Sequence, residues 1–187
     1  MNIENATTTF TTDRLTLRRI TAADAPSFFS IFSDADVTRY WGSPSLTKLS
    51  QAEEKIAEIL AQYESGTLFQ FAITRKSDPQ MIGTCTLWNF HAQNRRAEVG
   101  YALGRSYWGN GYMHEAMRAL VDHAFRVMLL HRLEADIDPR NAESAKSLAR
   151  LGFTHEGLLR ERWIVGGEIS DSALYGLLAS EWRGAST

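Results

Sequence analysis

Along the chain the apolar positions recur with two periods, and the switches between them mark out eleven elements. Asp13 to Ile20 alternates, with Leu15 and Leu17 on one side, and reads as a strand. Thr21 with Asp24 three residues on gives a capping pattern, and Ala25, Phe28, Phe29 and Phe32 form the stripe of a helix ending near Asp36. Val37 to Leu49 has no clean period and reads as a loop or broken helix. Ser50 with Glu53 is placed to cap the next helix, whose stripe is Ile56, Ile59, Leu60 and Tyr63, and Gly66 to stop it. From Thr67 the period becomes two. Phe69, Phe71 and Ile73 make a strand, Ser77-Asp78-Pro79 a turn, Met81 to Phe90 a second strand, and Ala97, Val99, Tyr101 and Leu103 a third. Met113, Ala116, Met117, Leu120, Val121, Ala124, Phe125 and Met128 then follow the spacing of a strongly amphipathic helix. Leu133 to Ile137 reads as a short strand and Asn141 to Leu151 as a short helix stopped at Gly152-Phe153. Phe153 to Ile164 and Glu168 to Leu178 form a closing hairpin around Gly166-Gly167. The order β, α, α, β, β, β, α, β, α, β, β predicts a mixed α/β fold, an antiparallel meander leading into a strand-helix-strand unit, with helices on both faces.

Length and composition fit one domain. The chain has 187 residues against a prior of roughly 150 per domain, and nothing in it resembles a linker, repeat or low-complexity tract. A single domain over 1–187, with its core at about 12–182, is expected. Twenty Lys and Arg against 22 Asp and Glu leave a net charge of −2 with no single-sign run, so no direct nucleic-acid partner is expected. The longest apolar run, Ala173 to Ala179, falls far short of the roughly 18 residues of a membrane span. The start, MNIENATTTF, lacks the basic and apolar regions of a secretory signal, so a cytoplasmic location is expected and the Asn5-Ala6-Thr7 sequon carries no meaning. Cys85, the one cysteine, has no disulfide partner in the chain and reads as a small buried hydrophobe.

The most informative segment is Tyr107-Trp108-Gly109-Asn110-Gly111-Tyr112-Met113. Two glycines one residue apart permit positive φ, so successive backbone N–H groups can converge at a helix start, where the dipole adds about half a positive charge. Such a cradle binds phosphate. His114 stands where a dinucleotide fingerprint has its third glycine, and no Gly-Lys-Ser/Thr follows, which removes nicotinamide-dinucleotide and P-loop readings. On the preceding strand Glu98, Gly100 and Ala102 share one face, and the small residues leave room for a ligand chain. His91, His114, His123, His131 and Asp136 have no metal-ligand spacing, and no metal is expected.

With Asp13-Arg14-Leu15, Ile82-Gly83, Glu98-Val99-Gly100-Tyr101, the Gly109-Asn110-Gly111 turn, Asn141 with Ser144, and Gly152-Phe153, the chain from about Thr12 to Trp182 resembles the GNAT acetyltransferase superfamily. Within it, the resemblance is to the RimJ/RimL-type ribosomal-protein N-acetyltransferases. One departure stands out: Ser106 occupies a position where the wider superfamily usually carries Gln or Arg. The resemblance implies a central, mostly antiparallel seven-stranded sheet, acetyl-coenzyme A as donor and a primary amine as acceptor, such as the amino terminus of a ribosomal or other protein. It implies cofactor contacts at Gly100, Tyr101, Ala102, Leu103, Trp108, Gly109, Asn110, Gly111, Tyr112, Met113, Asn141 and Ser144.

Acetyl transfer to an amine needs a base for the amine, a stabilised oxyanion and a proton for the departing thiolate. The resemblance points to Ser144, or a tyrosine near it, for the thiolate proton; Asn141 and Ser144 also suit a helix cap. For the base, Glu98 lies beside the expected splay of the cofactor strand. Glu161 lies on the penultimate strand, on one face with Trp163 if the alternation there is regular, and both glutamates also suit surface ion pairs. Arg39, Tyr40 and Trp41 in the irregular segment, with Trp88 at the end of the hairpin, are candidates for lining the acceptor groove or for covering the core edge. Three alternatives stay open: acetylation of a small molecule or polyamine, a non-catalytic coenzyme A-binding module, and a structural partner subunit. Monomer and homodimer are both compatible with the sequence.

Overall fold

The computed structural model describes residues 9–184, so the Asn5-Ala6-Thr7 sequon lies outside the described residues. The chain forms β1 (Phe10–Thr11), β2 (Leu15–Arg19), α1 (Ala25–Phe32), α2 (Ala35–Thr38), α3 (Leu49–Ser65), β3 (Leu68–Arg75), β4 (Asp78–His91), β5 (Arg96–Leu103), α4 (Tyr112–Arg126), β6 (Arg132–Ile137), α5 (Ala142–Arg150), β7 (Thr154–Val165) and β8 (Glu168–Leu178). All strands join one sheet in the order β1-β2-β3-β4-β5-β6-β8-β7, antiparallel except for β5 beside β6. The sheet has eight strands rather than seven, because Phe10 and Thr11 add a two-residue strand too short to show a period.

Every residue from Phe69 to Thr74 in β3 and from Met81 to Leu87 in β4 is buried, so the middle of the sheet is covered on both faces. The α1/α3 pair packs on β3 and β4 and α4 packs on β2, β4 and β5, which supplies the two layers. Fully buried Phe69, Phe71, Leu87, Met117, Leu120 and Leu133 lie at the centre. Cys85 is buried in β4, and burial pushes its thiol well above the usual range.

Local chemistry sets the boundaries that differ from the sequence expectation. The Asp24 carboxylate accepts the Thr21 N–H at 2.8 Å, as the capping pattern predicts, but the capped segment is a 3-10 turn over Ala22–Asp24. Pro26 has no N–H to extend that turn, so α1 starts afresh at Ala25. It stops at Phe32, and Asp34 caps the separate α2 by accepting the Asp36 N–H at 2.9 Å. At α3, Gln51 rather than Glu53 closes the start, its Oε1 accepting from the N–H groups of Thr47 and Lys48 at 2.8 and 3.0 Å.

Gly83 shows how tightly β4 and β5 pack. A Cβ there would lie 2.5 Å from the Ala102 carbonyl oxygen and 3.2 Å from Leu103 Cα, both backbone atoms. We therefore expect Gly83→Ala to destabilise the fold by about 1–3 kcal/mol, measured by urea unfolding; a loss below about 0.5 kcal/mol would show that the two strands can move apart freely.

Candidate active site

β5 and β6 pair only from Arg96↔Arg132 to Glu98↔Glu134. Beyond that point β5 stays on β4 as far as Gly83↔Leu103, while β6 follows β8 as far as Ile137↔Ala173. The two strands therefore part, and a cleft of about 730 Å³ opens between them. The structure brings Glu98, Gly100, Tyr101, Asn141, Ser144, Arg39, Tyr40, Trp41 and Trp88 to its wall. Trp163 from β7 also lines it, with its ring 3.6 Å from where a Cβ on Gly42 would stand, so the segment after α2 meets the β7–β8 hairpin across the mouth.

On the α5 side, Asn141 caps the helix by accepting the Ser144 N–H at 3.1 Å. The cap holds Ser144 Oγ 2.7 Å from the Tyr101 hydroxyl, across the gap between β5 and α5, and either group can donate. Burial holds the Tyr101 phenol above its usual range, so it keeps its proton at neutral pH. On the other side Glu98 accepts from Asn89 Nδ2 at 2.6 Å, and Asn89 sits with φ 50 in the β-bulge beside it.

Glu98 differs from the other carboxylates of the cleft. Arg140 pairs with Asp138 at 2.6 Å and with Glu168 at 2.5 Å, and Asp136 pairs with Arg162 at 3.2 Å. Among the described residues Glu98 has no cationic partner. Glu161 stands elsewhere: it is exposed, its N–H donates to Asp171 at 2.8 Å, and it does not belong to the cleft wall. The expected alternation fails there, because the three residues between Leu159 and Trp163 face the single Asp171 between Ser172 and Ser170, and Glu161 takes φ 52 in the bulge.

The glycine turn lies beyond the far end of β5 and outside the cleft wall, and the last two residues of β5, Ala102 and Leu103, do not line the cleft either. Gly109 and Gly111 have φ 74 and 76, in the left-handed region. Asn110 Nδ2 donates to the carbonyls of Tyr107 and Trp108 at 3.1 and 2.9 Å, and Trp108 Nε1 to the Leu103 carbonyl at 2.7 Å, tying the turn to the strand. The first bond of α4 runs from Glu115 N–H to Gly111 O at 3.1 Å, which leaves the amides of Tyr112, Met113 and His114 at an open helix start. Burial, with Arg118 and Arg150 nearby, holds the His114 imidazole below its usual range and therefore neutral. Among the described residues no group of three or more His, Cys, Asp or Glu is placed to hold a metal, and no helix is long and apolar enough to cross a membrane.

Several residues of the site carry no distinguishing signal in the sequence. Trp163 figures there only as a neighbour of Glu161, and the partnership of Arg140 with Glu168 spans 28 residues. Arg14 enters the sequence reading only within Asp13-Arg14-Leu15, and its bond from the residue before β2 to the glycine turn spans 96 residues.

The sheet, the parted strands and the glycine turn at a helix start define an acyltransferase fold. Residues 14–154 match the family model described as the acetyltransferase (GNAT) domain, and the chain belongs to this family of N-acetyltransferases. Its relatives include the Bacillus licheniformis protein named "Uncharacterized N-acetyltransferase p20", 38% identical over 94% of this chain and 99% of that one. The [ribosomal protein uS5]-alanine N-acetyltransferase of Escherichia coli is 28% identical over 92% and 91% of the two chains. Among solved structures, Mycobacterium smegmatis RimJ in complex with CoA-disulfide superposes with a TM-score of 0.83 and 26% identity, covering 91% of this chain and 85% of that one.

Gly100 provides a clean test of the cleft. A Cβ there would meet no atom within 4 Å, and extended backbone tolerates valine. Gly100→Val is expected to keep its melting temperature within about 2 °C of wild type and to weaken acetyl-coenzyme A binding about tenfold or more, about 1.4 kcal/mol. Unchanged affinity by calorimetry would place the ligand chain elsewhere.

Proposed function

We propose that the protein moves the acetyl group of acetyl-coenzyme A to a primary amine, the amino terminus of a protein or peptide in the cytoplasm. The observation that carries this reading is the cleft between β5 and β6, with an unpaired carboxylate on one side, a pair of hydroxyls on the other and a glycine turn at the end of the same strand. The residues fit the donor: two glycines at positive φ open a helix start for its diphosphate, and Gly100 leaves the adjacent strand edge clear for its arm. Trp108 to Met113 would hold the diphosphate, and the backbone of Gly100 to Leu103, with Asn141, the pantetheine arm.

Glu98 takes the proton from the incoming amine, directly or through water; its carboxylate accepts from the neutral Asn89 amide and forms no ion pair among the described residues. Ser144 gives a proton to the departing thiolate as it takes one from the Tyr101 hydroxyl 2.7 Å away, and Tyr101 regains its proton from water entering the cleft as the products leave. Arg39, Tyr40, Trp41 and Trp88 line the acceptor's approach. An amino terminus as acceptor is supported by the relative whose name specifies the alanine of ribosomal protein uS5. Its place on the cleft wall supports Glu98 rather than Glu161 as the base.

An amino terminus has a reference pKa near 8, so kcat/KM rises with pH whichever group accepts the proton. The base is revealed by comparing pH 7 with about pH 9, in thiol-release assays on peptides beginning with alanine or serine. Glu98→Gln should lose about 10²-fold in kcat/KM at pH 7 and recover part of it at pH 9, while Glu161→Gln stays within about twofold at both. Equal losses for Glu98→Gln at the two pH values would make Glu98 structural. Turnover with polyamines and none with any peptide would reassign the acceptor.

A further inference from the structure

Arg14 makes four contacts at one corner of the glycine turn. Its Nη1 donates to the Asn110 carbonyl at 3.0 Å, its Nε to Glu115 Oε2 at 2.6 Å and its backbone N–H to Glu115 Oε1 at 2.9 Å. Its guanidinium lies over the Tyr112 ring, 4.7 Å from the centroid. Thr12 Oγ1 donates to the same carboxylate at 2.5 Å. Burial works against the charge on Glu115, but the hydrogen bonds from Thr12 and Arg14 outweigh it and hold the carboxyl below its usual range.

As a partly exposed ion pair, Arg14 with Glu115 would contribute little. The contact to Asn110 has a different consequence. The peptide joining Asn110 to Gly111 is planar and trans, so its carbonyl and its N–H point in opposite directions. Of the two torsions that turn this peptide, ψ of Asn110 and φ of Gly111, the second belongs to a glycine in the left-handed region, so the unit is easily rotated unless something holds it. A donor that grips the Asn110 oxygen therefore fixes the direction of the Gly111 N–H, on the side away from Arg14. A guanidinium, with its donors in a rigid plane, can hold Glu115 and this carbonyl together, which a lysine ammonium at the end of a flexible stem does not reproduce.

We propose that Arg14 is a positioning residue for the donor: it locks the Asn110–Gly111 peptide so that the Gly111 N–H faces the diphosphate, with Glu115 and Thr12 holding Arg14 in place. This rests on the reading that the turn binds the diphosphate of coenzyme A. Arg14 acts on the donor's phosphates alone and leaves the acetyl-transfer groups of the cleft untouched.

The test compares two donors, acetyl-coenzyme A and S-acetyl-pantetheine, which lacks the diphosphate, using Arg14→Lys, Arg14→Ala and the milder Glu115→Gln. In Arg14→Lys, the Kd for coenzyme A and the KM for acetyl-coenzyme A should rise about tenfold, with kcat at saturation within about twofold. With S-acetyl-pantetheine, kcat/KM should stay within about twofold of wild type. Glu115→Gln should show a smaller loss with the same donor dependence, and it carries the test if the Arg14 variants do not fold. Wild-type coenzyme A affinity in folded Arg14→Lys would overturn the proposal by showing that charge suffices. Equal losses with both donors would overturn it by showing a general structural role. Wild-type protein that binds no coenzyme A would overturn this proposal together with the acetyltransferase reading, whereas the first two results leave that reading standing.

Discussion

The structure depends on one interrupted pairing. β5 and β6 run parallel for three residue pairs and then part, and that parting both creates the cleft and leaves a strand edge whose backbone groups lack ladder partners. The base of the fork is fixed by ion pairs among Arg96, Glu134, Arg132 and Glu156, which tie β5, β6 and β7 together where the strands are closest. Above the fork the two sides are bridged through side chains, Tyr101 on β5 reaching Ser144 on α5. Gly100 stands between these two levels with nothing against it. An edge of unsatisfied amides and carbonyls beside an open channel suits an extended, amide-containing chain, which is the chemistry of the pantetheine arm.

The same fork arranges charge. Asp136, Asp138 and Glu168 each pair with an arginine, and among the described residues the carboxylate of the cleft without an ion pair is Glu98, at the last position where β5 pairs with β6. Its partner is the amide of Asn89, a neutral donor supplied by a bulge in β4. Glu161 sits in a bulge of the edge strand β7, where every residue from Leu158 to Ile164 is exposed, and it lies outside the cleft wall. The two glutamates that look equivalent in sequence are separated by where each strand breaks its period.

The sequence makes legible whatever is decided within about four residues. The apolar stripe of α4, the Asn141 cap and the Gly66 and Gly152 stops depend on near neighbours, and these elements stand where the pattern places them. The paired glycines are legible for the same reason, since positive φ is a local demand. What is hidden is either competition between local signals or contact over distance. Pro26 and Asp34 divide one apolar stripe into a 3-10 turn and two helices, and a two-residue β1 is too short to have a period. The bulges that hold Asn89 and Glu161 break strand alternation without a glycine to announce them. Arg14 with Glu115, 101 residues apart, brings together two charges that look ordinary in isolation.

The central claim is that the donor lies along the open edge of β5 with its diphosphate at the start of α4. Titrating 15N-labelled protein with coenzyme A and following backbone amide shifts tests it most directly. The account predicts that the largest changes fall on Val99 to Leu103 and on Trp108 to His114, saturating together with one Kd. Saturable binding that leaves both segments unmoved, with its shifts concentrated on other elements such as the β7–β8 hairpin, would contradict it.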